Sequence, residues 1–133
     1  MEFCNQVFDE FCAKECIARH KTVRMTPQQN GLAERMNRTL MDKVRCMMIQ
    51  AKLPKNLWAE ILNTTCYLVN FSPSTAIEFK TPFELWYGKQ ASYKDLKVFS
   101  CLGYAHISQG KLAPRALKCV FIGYPEGTKG YKL

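Results

Sequence analysis

The chain has 133 residues, of which 47% are apolar, and a net charge of +8. That length suits one domain, or one and a fraction, and that apolar content argues against general disorder. No apolar run is long enough to predict a membrane span, and the N-terminus, with Glu2, Asp9 and Glu10, shows neither a secretory leader nor an Arg-rich transit peptide.

Residues 5–16 read as a helix, with Asn5 as its cap and Phe8, Phe11, Cys12 and Glu15 at helical spacing. The apolar members are expected to face a core. Residues 17–25 are short, basic and tolerant of extended structure, so a strand is predicted there. Thr26-Pro27 through Asn30-Gly31 is turn chemistry. Beyond it, Ala33, Met36, Leu40, Val44, Met47 and Met48 form one stripe of a helix over 33–50, while Arg35, Arg38, Asp42 and Arg45 lie largely off it. A Met-rich stripe of this kind is adaptable packing rather than a cofactor box. Asn30 is expected to cap this helix, and Gly31 to let the backbone turn sharply.

Pro54 suits the first position of another helix, over 55–70, in which Leu57, Trp58, Ile61, Leu62, Thr65 and Val69 recur at three and four. Asn70-Phe71-Ser72-Pro73 ends it. A compact helical unit follows: Thr81 caps, Pro82 starts, Glu84 completes a capping box and Gly88 closes. Trp86 and Tyr87 are expected to pin this unit to the preceding helix. After about residue 92 the pattern changes. Strands are predicted over 98–105 and 117–124, with Pro114 between them and Pro125-Glu126-Gly127 as a turn. Two or three strands do not stand alone, so this reads as the start of a small β domain.

The charge is unevenly placed. Residues 35–58 carry six basic groups against one acid, and residues 89–133 carry eight against two. Two basic blocks suggest a polyanion, DNA or RNA, although a solvated surface has the same composition. The seven cysteines are scattered through apolar runs, which suggests reduced, buried thiols. Cys12, Cys16 and His20 could share a helix face, but a zinc site needs a further ligand that is not nearby.

Glu34 is the candidate catalytic residue. A helix start suits a negative charge, and plain helix stabilisation is the simplest role for it. The chemical alternative is a ligand for a divalent metal in phosphoryl transfer, where several carboxylates hold two ions about 4 Å apart. Arg35 and Arg38 would neutralise a phosphate backbone there, and Asn37, Gln28, Gln29 and Asn30 would bond to phosphates or sugars. Lys21 and Arg24 are candidates for further phosphate contacts, as is His20. His106 reads as a strand-end surface residue. Carboxylate partners are missing: Asp9 and Glu10 fall in another helix, and Asp42 is two turns further along. No P-loop, G-x-G-x-x-G, serine elbow or H-E-x-x-H is present.

The linked segments T26-P-Q-Q-N-G-L-A-E-R-M-N-R-T-L40, L53-P-K-N-L-W-A-E60, Y67-L-V-N-F-S-P73, T81-P-F-E-L-W-Y-G88, L96-K-V-F-S-C-L-G-Y104 and K118-C-V-F-I-G-Y-P-E-G-T-K-G-Y-K-L133 carry a resemblance over essentially the whole chain. It resembles the integrase region of the polyproteins of copia-type LTR retrotransposons, especially plant ones. The resemblance implies an α/β fold. Residues 1–92 would be the C-terminal part, mostly helices, of a ribonuclease-H-like catalytic core. Residues 93–133 would begin an SH3-like β domain. It further implies DNA joining by two aspartates and a glutamate on two magnesium ions, with Glu34 as the glutamate. Glu2-Phe3 matches only the end of the family's D-N-G-G-E-F-like segment, so the second aspartate would precede Met1. Cys16 stands where the family usually has glycine, Met25 where it commonly has tyrosine, and Phe71 where it often has arginine.

These readings imply a piece of an integrase that is catalytically inactive alone. The alternatives are a non-enzymatic nucleic-acid-binding fragment and one that docks on an integrase core. DNA would be the parent enzyme's partner, bound weakly or not at all by this chain, and the nucleus the parent's compartment. An insertion in an organellar genome would place the product in the mitochondrion.

Overall fold

The computed structural model describes residues 5–108, 110, 112–125 and 127–133. The chain divides into two compact units, Met1–Met36 and Asn37–Leu133. Met1, Glu2, Phe3, Cys4 and Glu126 lie outside the described residues, so the expectations for Glu2-Phe3, for Cys4 and for the turn at Glu126 fall there too.

In the first unit, helix α1 spans Gln6–Lys14, and the Asn5 side chain accepts from the Phe8 amide at 2.8 Å, as expected of its cap. Its apolar face is less covered than the spacing suggested. Cys12 is buried, but Phe8 and Phe11 stay exposed and stack on each other at 6.3 Å. The helix ends with Cys16 in the left-handed region (φ 55°), where the Ile17 amide reaches back to the Cys12 carbonyl at 2.8 Å. The predicted strand over 17–25 does not form. A strand needs a neighbour to pair with, and the only ladder among the described residues lies near the C-terminus.

Pro27–Asn30 form a turn of 3-10 helix that runs straight into α2, Gly31–Ala51. This corrects two expectations. Gly31 has ordinary helical angles (φ −58°, ψ −26°), and Asn30 belongs to the preceding turn instead of capping. The cause is Pro27, which starts the helical path earlier with its φ already suited to it.

In the second unit, Val44 is the buried residue of α2. A 3-10 turn at Lys55–Leu57, with Pro54 just outside it, leads into α3, Trp58–Asn70. Ile61, Thr64 and Thr65 are its buried residues. The Thr65 hydroxyl bonds to the Ile61 carbonyl at 2.8 Å and lies 3.4 Å from the Met47 sulfur, which couples α3 to α2. Helix α4, Pro82–Tyr87, has the complete capping box between Thr81 and Glu84, and Gly88 closes it at φ 63°. Its pin to α3 is not the expected pair. Trp86 is 83% exposed and Tyr87 is also exposed, while Phe83 stacks on Phe71 at 4.7 Å. In a helix of six residues one side faces the neighbour, and Phe83 occupies it.

Strands β1, Leu102–His106, and β2, Ala116–Val120, pair antiparallel with Leu102 opposite Val120 and His106 opposite Ala116. Both are shorter than the sequence predicted. Ser100 takes φ 66°, which breaks extension ahead of β1. Past β2 the chain continues as a single bridge from Gly123 to Lys132. A two-stranded ribbon has no core of its own, and here α3 supplies one wall. Phe121 is buried, the Thr64 hydroxyl donates to the Ile122 carbonyl at 2.7 Å, and Tyr67 stacks on Tyr124 at 4.1 Å.

Candidate nucleic-acid interface and the setting of Glu34

Glu34 lies in the first turn of α2, exposed to solvent. Its position follows from the Thr26-Pro27 start, since the helical path is already set before Gly31. Arg35 follows it, and Asn37 and Arg38 come on the next turn of the same helix, all exposed.

The segment leading to this helix is held by side chains. Arg19 pairs with Asp9 and lies over the Phe8 ring at 4.6 Å; Lys21 approaches the same Asp9 at 3.9 Å. Asp9 therefore anchors the basic segment to α1, a role that its reading as a bare surface acid missed. The Gln29 side chain accepts from the Val23 amide at 2.8 Å, and the Thr26 hydroxyl donates to the Val23 carbonyl. Gln29 thus closes the loop that precedes α2, which leaves its amide nitrogen for any outside contact. Gln28, Asn30 and Arg24 are exposed.

Two-metal chemistry requires a cluster of carboxylates. Among the described residues, no group of three or more His, Cys, Asp or Glu side chains could hold a metal ion. Asp9 is engaged with Arg19 and Lys21, Glu10 accepts from Gln6 at 3.0 Å, and Asp42 holds Arg45 at 3.1 Å. Asp42 is also about 12 Å along the axis from Glu34. The residues present do not fit a magnesium pair. The zinc reading finds no support in this geometry either: Cys12 is buried, while Cys16 and His20 lie exposed beyond the helix end. The expectation of buried thiols holds for Cys12 and not for Cys16 or Cys46, which are exposed.

A second constellation escaped the sequence reading. Glu60, Asn63, Tyr67 and Asn70 share a face of α3 and line a cavity of about 890 Å³, with Lys129 and Lys132 among the residues opposite. The signal was present as a polar stripe at three- and four-residue spacing, running beside the apolar one.

Residues 101–133 match the family model of the retroviral polymerase SH3-like domain, which agrees with the hairpin found there. A retrovirus-related Pol polyprotein from the tobacco transposon TNT 1-94 is 46% identical over 99% of this chain. An uncharacterized mitochondrial protein of Arabidopsis thaliana is 45% identical over 62% of this chain and 69% of its own length. A Pol polyprotein from the Arabidopsis transposon RE1 is 30% identical over 86% of this chain. No solved structure matches.

The chain belongs to the Pol polyproteins of copia-type plant LTR retrotransposons. It spans 10% of the length of the tobacco polyprotein and 8% of the RE1 polyprotein. The architecture is mixed α/β, with a C-terminal antiparallel hairpin that matches the SH3-like domain. Among the described residues no helix is long and apolar enough to cross a membrane.

Proposed function

We propose that this chain is the part of a retrotransposon integrase that carries the glutamate of the catalytic triad, and that it binds DNA without catalysing its joining. In this reading residues 1–92 are the C-terminal part of a ribonuclease-H-like core, and residues 93–133 begin the SH3-like domain. Glu34 is the metal ligand of the parent enzyme. Lys21, Arg24, Gln28, Gln29, Asn30, Arg35, Asn37 and Arg38 contact the DNA backbone.

The observation that carries the proposal is the setting of Glu34, an exposed carboxylate leading a basic helix, with Asp9, Glu10 and Asp42 each engaged elsewhere. A single carboxylate does not neutralise and space two divalent ions. Magnesium belongs to the assembled parent site. The basic side chains still attract a polyanion, because that attraction needs charge and not a catalytic centre.

The test is a strand-transfer assay with the purified chain, magnesium and a processed-end oligonucleotide. No joined product is expected from the chain alone, and joined product would overturn the inactive reading. A salt titration against duplex DNA tests the binding half, which fails if no binding occurs at low salt or if binding is insensitive to salt. Co-purification with an intact integrase core, without DNA binding, would favour the docking role instead.

A further inference from the structure

The cavity beside α3 has three kinds of wall. One face of α3 presents the amides of Asn63 and Asn70, whose side chains make no hydrogen bond among the described residues. Tyr67 and Tyr124, stacked on each other at 4.1 Å, supply an apolar edge. The far wall is Thr128-Lys129-Gly130, where Gly130 takes positive φ (137°) and Gly127 just ahead of it does too (69°). Lys132 is already held by both oxygens of Glu60 at 2.6 Å, whereas Lys129 has no ion-pair partner among the described residues.

We propose that this cavity binds a nucleoside phosphate, with Lys129 and the Thr128 hydroxyl on the phosphate and Asn63 and Asn70 on the edge of the base. A primary amide presents a donor and an acceptor side by side, which matches the paired donor and acceptor of a base edge. The apolar ring edges of this stack suit the rim of a base, and one cation without an ion-pair partner among the described residues, beside a glycine turn, suits a phosphate. The volume of about 890 Å³ lies within the range of small-molecule sites. Glu60 disfavours a polyanion here, since it cancels Lys132 and leaves Lys129 as the one unpaired lysine among the described lining residues. Burial raises the Tyr67 phenol above its usual range, with Tyr124 adding to the shift. The site lies within the second unit and does not depend on the DNA reading of Glu34 and its neighbours.

The test is calorimetric titration of the full chain with the four nucleoside monophosphates, with adenosine and with inorganic phosphate. At least one monophosphate is expected to bind saturably, and about tenfold or more tightly than either adenosine or phosphate. Lys129→Ala should weaken that monophosphate about tenfold and leave adenosine unchanged, and Asn63→Ala should weaken both. Both side chains are exposed, and unchanged circular dichroism would confirm that the variants fold. Competition with a 5′-phosphorylated single-stranded oligonucleotide identifies the source. Displacement assigns the site to the end of a strand and no displacement to a free nucleotide, and both support the proposal. Absence of saturable monophosphate binding, or variants that titrate like the parent, would overturn it. Arg38→Ala should leave this titration unchanged while weakening duplex binding, which separates the two readings.

Discussion

Thr64 and Gly123 meet where α3 and the C-terminal segment touch. A Cβ on Gly123 would stand 2.5 Å from the Thr64 hydroxyl oxygen, and that same hydroxyl donates to the neighbouring Ile122 carbonyl at 2.7 Å. The close approach and the hydrogen bond need each other, because both require the glycine backbone to lie against the helix. Gly123→Ala is expected to destabilise the chain by about 1–3 kcal/mol through overpacking. Thr64→Val should cost about 1–3 kcal/mol by leaving the Ile122 carbonyl without its partner. Urea midpoints for both variants and the double variant check this, and fully additive losses would show that the two residues do not share one contact.

Cys16 and Lys52 each hold a left-handed position just after a helix, with φ of 55° and 52°. The Ile17 amide bonds to the Cys12 carbonyl at 2.8 Å, and the Leu53 amide bonds to the Met48 carbonyl at 3.4 Å. Side chains with a Cβ are strained there, and glycine is not. Cys16→Gly is expected to stabilise the chain by about 0.5–1 kcal/mol after allowance for the greater freedom of glycine in the unfolded chain. Lys52→Gly should act likewise. Thermal melts showing a lower midpoint for both would refute the reading.

Glu84 accepts from the backbone amides of Thr81 at 2.9 Å and Ala91 at 3.3 Å. These bonds to its charged form, Thr81 first, hold its pKa below the usual glutamate range. A group with a lowered folded pKa adds stability that is present above its unfolded value and is lost as pH falls through the folded value. Stability should therefore decline below the ordinary glutamate range near pH 4.3. Glu84→Gln should flatten part of that decline. Urea unfolding at a series of pH values measures it, and identical profiles for the two proteins would count against the assignment.

If Arg38 contacts a DNA phosphate, Arg38→Ala should weaken duplex binding uniformly across sequences. It should also reduce the slope of log K against log salt by about 1. Glu34→Gln removes a negative charge from the same helix start and should leave binding unchanged or strengthen it. Fluorescence anisotropy over a salt series reads both, and an unchanged slope for Arg38→Ala would remove that residue from the interface.

What could be foreseen from sequence was local. Asn5 three residues ahead of Phe8, and Thr81-Pro82 ahead of Glu84 and Gly88, satisfy helix ends within one turn, so neighbouring residues suffice to specify them. Family membership was likewise legible, because it rests on ordered segments and not on contacts. Tertiary structure decided the rest. It chose Phe83 over Trp86 against Phe71, set the register of β1 on β2, and brought Thr64 to Gly123 across 59 positions. It also left residues 17–25 without a strand neighbour and gave Asp9 and Gln29 the task of holding them. Periodicity states which residues can share a face. Which face finds a partner depends on free energy gained between segments far apart in the chain, and no local pattern encodes it.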